Sequence, residues 1–338
     1  MKEGKLKKKS ASKGIIRFST QYRRPLAHLA DKLILALLVL SLISLKSTMV
    51  FSKTSSTGGT FLPMGWGARG ASLADAGTII IRDDRSVYWN PANLVFLRSA
   101  MATITTTKPI PDMDIRYTTL SIASGILDTR FSPDSTRQLK QVAVGLGITD
   151  MGLTLAGGSR WHENTFGISF AISPNHYNAL GVSFRILHSS TDLEDANSSG
   201  IAIDAGWTAV LTNRLYLAIF GRNIVNRVKY PASSQKIDPT WNVALAYTEI
   251  YKVATIEGDL VLKGSSIYRI MTAVEVTLFE DLLIIRGGLD HRITDGERTI
   301  FTLGMGTFYS FTEISLGFRF DPEDAFGRQT FVSVSFAL

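Results

Sequence analysis

After residue 93 the sequence is governed by a period of two. Apolar side chains recur at alternate positions in segments of about ten residues, separated by turn-forming residues. In 139–148, Val142, Val144, Leu146 and Ile148 alternate with Ala143, Gly145 and Gly147. Phe166, Ile168, Phe170 and Ile172 do the same in 164–173, and Leu180, Val182, Phe184 and Ile186 in 178–188. Further clear cases are 199–211, 239–248 and 311–320. Weaker segments at 94–106, 113–123, 214–223, 253–262, 267–279, 282–291, 299–309 and 329–338 bring the total to about fourteen. A strand turns successive side chains to opposite faces. One face here is Phe, Ile, Leu, Val and Trp; the other is Gly, Ala, Ser and Thr with scattered charges. Such segments match strands that cross a bilayer at a tilt. In hydrocarbon every backbone group needs an internal partner, so the sheet must close on itself. The expected fold is therefore all-β: a transmembrane antiparallel β-barrel of about 14 strands over 94–338.

Charge supports this reading. The chain has 36 Lys/Arg and 29 Asp/Glu. Residues 1–53 hold 12 of the former and 2 of the latter, so the remainder carries 24 against 27, a net of −3. The basic excess lies in the leader, and a nucleic-acid partner loses its support. Inside that leader Leu33–Leu45 is a run of thirteen uncharged residues, closed by Lys46. It is too short to span a membrane and suits the core of a secretion signal. Residues 1–53 are read as a signal peptide with its apolar core at 33–45, and the mature protein as an integral outer-membrane protein of a Gram-negative-type bacterium.

Turn-like connections such as Ser173-Pro174-Asn175 and Thr294-Asp295-Gly296 contrast with longer polar ones at 124–138, 189–198 and 226–238. Trp161, Tyr177, Trp207, Tyr216, Tyr230, Trp241 and Tyr309 near strand ends suit interfacial girdles. The last segment places Val332, Val334, Phe336 and Leu338 on one face. That is the pattern that barrel-assembly machinery reads, which makes that machinery and outer-membrane lipid expected partners.

No chemistry-bearing constellation stands out. The chain has no cysteine, which removes thiolate metal sites and cysteine nucleophiles. His28, His162, His176, His188 and His291 include no pair at metal-binding spacing. His188-Ser189-Ser190 with Asp192 has a hydrolytic composition but reads as a strand end entering a loop. Neither an enzyme nor a cofactor is expected. Ten charges fall in phase with the small-residue face and are expected in the lumen: Arg116, Arg185, Asp204, Glu257, Asp259, Arg269, Glu275, Arg286, Glu313 and Arg319. A barrel of this width encloses more space than its own side chains fill. Residues 54–93 are expected to supply a hatch or plug, with Arg69 and Asp75 as partners for lumen charges.

That segment carries a family resemblance. Gly67-Ala68-Arg69-Gly70-Ala71, Ala74-Asp75-Ala76-Gly77, Asp83-Asp84 and Asn90-Pro91-Ala92-Asn93-Leu94 follow one another. Gly287-Gly288-Leu289-Asp290, Leu303-Gly304-Met305-Gly306, Leu316-Gly317-Phe318 and Phe326-Gly327-Arg328-Gln329 follow at the other end. This order resembles the FadL-like outer-membrane barrel superfamily, most closely its PorV/PorQ-type branch. The hatch motif residues are Gly67, Arg69, Gly70, Asp75, Gly77, Asn90, Pro91 and Ala92; Asn93 stands where the family usually has Gly. The resemblance implies a plugged 14-stranded barrel and, for the PorV/PorQ branch, type IX secretion with secreted proteins as cargo. Two alternatives stay open. A FadL-like channel for hydrophobic small molecules would show an apolar pocket beside the hatch and a lateral opening in the wall. A structural barrel would only anchor surface partners.

Overall fold

The computed structural model describes residues 65–108, 114–128, 140–154, 158–192, 197–231, 234–250, 253–279, 282–293, 297–321 and 328–338. The proposed signal sequence, the start of the proposed plug, the 294–296 turn and Phe326-Gly327 lie outside them.

The alternating segments form strands β1 (Met101–Lys108), β2 (Ile115–Asp128), β3 (Lys140–Thr154), β4 (Arg160–Asn175), β5 (Asn178–Thr191), β6 (Ser198–Val210) and β7 (Leu215–Lys229). After a two-residue β8 (Ser234–Gln235) come β9 (Thr240–Ile250), β10 (Ala254–Lys263), β11 (Ser266–Leu278), β12 (Leu283–Arg292), β13 (Arg298–Tyr309), β14 (Thr312–Phe320) and β15 (Arg328–Ala337). Each long strand pairs antiparallel with its neighbours, β7 pairs with β9, and β1 pairs with β15. The short β8 pairs only with the end of β7. The result is a closed ring of fourteen strands with no free edge, which satisfies the backbone within the sheet.

The closing seam shows the register. Ile104 faces Val334 and Thr105 faces Ser333 across β1 and β15. Phe166, Phe170, Phe184, Ile186, Phe301 and Leu303 stand on the outer surface, all more than a third exposed. Their neighbours in sequence Ser169, Ser183, Arg185 and Thr302 are buried inside. Val332 and Phe336 of the last strand also face outward. One rim carries connections of two to four residues, apart from 129–139; the opposite rim carries connections of up to ten. Tyr177 and Tyr309 are exposed at the first of these rims, Tyr216 is buried in the lumen, and Trp241 lies on the outer surface.

The structure departs from the sequence expectation in three respects. The first strand starts at Met101, not at Leu94. Asn90 accepts the Ala92 N–H through its side chain and Pro91 opens a 3-10 helix, Pro91–Phe96. That turn carries Leu94 and Val95 into the interior. The polar connections are shorter than expected, because β2, β5 and β7 run on through their polar ends. Arg116 points outward and is exposed, because β2 places Ile115, Tyr117, Thr119 and Ser121 inside and Leu120 and Ile122 outside. Arg116 lies in the second residue of the strand, near the rim, where an outward charge costs little.

Candidate functional site

The interior is filled by residues 65–97, which form helix α1 (Gly67–Ser72), helix α2 (Ser86–Trp89) and the 3-10 helix. Gly67 and Asp75 adopt left-handed backbone angles, φ 87° and 64°. Gly70 lies under the Trp89 ring, and Gly77 lies against Ile81. The wall is cut to receive this segment. A Cβ on Gly181 would lie 2.2 Å from the Ala92 nitrogen, and one on Gly206 would lie 2.0 Å from Asn90 Oδ1. Gly304 and Gly317 make the same room for Ser72 and Ala68. Strand glycines thus mark where the segment lies directly against the wall. The Asn90 and Asn93 amides donate to the Thr78 carbonyl, and Asn90 also donates to Thr208 of β6.

Charges tie the segment to the wall in a closed, alternating ring of six. Arg69 meets Asp83 at 2.8 Å and Glu275 at 2.6 Å. Arg85 meets Asp83 at 2.7 Å and Glu313 at 3.3 Å. Arg286 closes the ring at 2.7 Å from Glu275 and 2.8 Å from Glu313. Three cations alternate with three anions, so the buried ring is neutral. A second group joins Asp75 to Arg269 and Arg319, and Arg269 and Arg292 to Asp290. Glu257 accepts the Ile79 and Ile80 N–H groups at 2.7 Å each, and Asp259 accepts the Thr78 hydroxyl at 2.6 Å. Arg185 pairs with Asp204 across β5 and β6.

Of the ten charges expected in the lumen, the structure therefore places nine inside and Arg116 outside. Four residues that matter were not among the expected lumen charges: Arg85, Arg222, Asp290 and Arg292. Asp290 and Arg292 share the parity of Arg286 on β12, a signal present in the sequence. Arg85 lies outside any periodic segment and carried none. His188 and Ser189 fall on opposite faces of β5, so their adjacency makes no joint site.

Asp84 accepts hydrogen bonds from Thr103 at 2.9 Å and Ser121 at 2.6 Å, beside the β1–β15 seam. Burial pushes its carboxyl up to about 6, and the Asp83 charge acts in the same direction. An unfolded aspartate ionises near pH 4, so the folded form holds this proton longer, and the contribution of Asp84 to stability falls as pH climbs from about 4 to about 6. Asp84→Asn should abolish that decline; denaturant unfolding at both pH values measures it, and an unchanged difference between them contradicts the assignment.

Beside the segment, toward the rim with the longer connections, lies a cavity of about 180 Å³. Tyr88, Trp89 and Tyr268 give it aromatic walls, and Ile237, Val261 and Met271 apolar ones. Arg222, Lys263, Arg269 and Arg292 line it together with Asp75 and Asp238. Ile237 also belongs to an apolar cluster inside the barrel with Ile115, Tyr117, Met151, Leu187 and Val228. The pocket is thus amphipathic rather than apolar. Arg222 and Asn223 sit in an irregularity of β7: the ladder with β6 shifts register between Ile203 and Ala205, and Asn223 takes φ 56°. The neighbouring strand pairs are otherwise hydrogen-bonded around the described ring, so the wall shows a bulge and not an open gap.

Ring closure, an apolar exterior and a filled lumen with a pocket define a plugged, membrane-spanning barrel. No family profile and no curated protein matches the sequence. Solved structures do. A Pseudomonas aeruginosa FadL homologue aligns at 12% identity over 81% of this chain and 98% of its own, with a TM-score of 0.55. The CymD monoaromatic hydrocarbon channel aligns at 12% over the same shares, with a TM-score of 0.59. The Pseudomonas putida toluene transporter TodX aligns at 12% over 81% and 99%, with a TM-score of 0.55. The chain therefore shares the barrel fold of these structures.

Proposed function

We propose that this chain is exported, cleaved and inserted into an outer membrane, where it passes small, largely apolar compounds through the barrel. Short turns are the periplasmic habit of such barrels and longer loops the outer one. In that orientation the cavity opens toward the cell exterior. The observation that carries the reading is this cavity, held between the buried segment and the β7 bulge. A compound captured there has the bulge, and not the tightly tied segment, as its nearest route. The similar structures of a monoaromatic hydrocarbon channel and a toluene transporter favour the same reading.

A PorV/PorQ-type role in type IX secretion, with secreted proteins as cargo, is supported less well. The matching structures include a monoaromatic hydrocarbon channel and a toluene transporter, and a lumen filled by residues 65–97 leaves no room for a polypeptide. A purely anchoring barrel would have no use for the cavity. Vesicles containing the purified protein should take up toluene several-fold faster than protein-free vesicles. Equal rates, or a deletion strain with normal toluene uptake and an emptied surface proteome, would move the assignment to secretion.

A further inference from the structure

We propose that the cavity receives a compact organic anion, a single-ring carboxylate, in preference to a neutral hydrocarbon; this deepens the transport reading and rests on it. Size is the first ground. An apolar cavity of about 150 Å³ holds one benzene, so about 180 Å³ accommodates one substituted ring and not an extended chain.

Charge is the second. Four cationic side chains line the space against two carboxylates. Among the described residues no carboxylate pairs with Arg222. Its guanidinium donates to the Tyr88 hydroxyl and the Tyr88 carbonyl, both at 2.9 Å, and lies over the Tyr88 ring at 4.0 Å. Arg292 reaches Asp290 through Nε alone, at 3.1 Å, and Arg269 already takes both oxygens of that carboxylate. Among the described residues the two terminal nitrogens of Arg292 have no hydrogen-bond partner and are left to bind something else. A neutral aromatic hydrocarbon would desolvate these guanidinium groups and return at most a cation–π contact. A carboxylate matches their planar donors, while Tyr268, Val261 and Met271 receive the ring.

Full-length barrel in detergent, followed by tryptophan fluorescence and calorimetry, tests this with benzoate, toluene and benzylammonium. Benzoate should bind at least tenfold more tightly than toluene, and benzylammonium most weakly. Arg292→Met, close to the rim, should weaken benzoate about tenfold and so narrow its lead over toluene; Arg222→Met should do the same. Heat-modifiable migration of each variant checks that the barrel has formed. Equal affinity for benzoate and toluene, or benzoate binding that both substitutions leave intact, overturns the proposal. Benzoate binding no tighter than inorganic phosphate overturns it as well, because the ring would then contribute nothing. Selective benzoate binding with no uptake into vesicles removes the transport reading and leaves the site standing. Toluene uptake without benzoate preference does the reverse.

Discussion

Arg286→Met should destabilise the folded barrel by about 3–5 kcal/mol, the usual result of removing one partner from a buried ion pair. Arg286 is almost fully buried and reaches from β12 back to Glu275 on β11 and across β13 to Glu313 on β14. Gly306 of β13 clears the way: a Cβ there would sit 2.8 Å from the guanidinium. With Arg286 gone, three buried carboxylates share two arginines. Restoring neutrality should recover much of the loss, so Arg286→Met with Glu313→Gln should be more stable than the single variant. Denaturant unfolding in micelles or bilayers reads both, and a coupling between them below about 0.5 kcal/mol would show that the ring is not one electrostatic unit.

Gly181→Val should leave the barrel closed and expel the inner segment. The Cβ would meet the Ala92 nitrogen at 2.2 Å and the Pro91 carbonyl carbon at 2.4 Å, and backbone cannot yield as a flexible side chain can. Gly181 sits in regular strand β5, where valine is locally welcome, so the conflict falls on the segment rather than on the sheet. Overpacking of this kind costs about 1–3 kcal/mol before anything moves. Asn90 and Asn93 then lose their contacts with Thr208. The expected signature is an unboiled band that still migrates as a folded barrel, with Arg82 and Arg85 newly open to trypsin and ion conductance raised about tenfold or more. Trypsin resistance and conductance like those of the parent would mean that the segment docks elsewhere.

The barrel was legible because its signal is local. A period of two needs only neighbouring residues, and it shows which side chains share a face before any partner is known. The same rule located nine of the lumen charges. It misplaced Arg116 because apolar Ile115 and Tyr117 flank it on the opposite parity to Leu120 and Ile122, which hides the phase of β2 near its start. It started the first strand at Leu94 because four apolar residues in a row carry no parity, whereas the Asn90 cap and Pro91 impose a helical turn. What the amino-acid order determined alone was therefore the ring of strands, the sign of each face and the small-residue segment that fits within it. Which charge meets which was decided only by the closed structure. Arg69 and Glu275 are 206 residues apart, and Asp75 and Arg319 are 244 apart. Their meeting depends on the height each reaches along the barrel axis. Strand register and ring closure set that height, and with it the cavity beside Arg222 and Arg292.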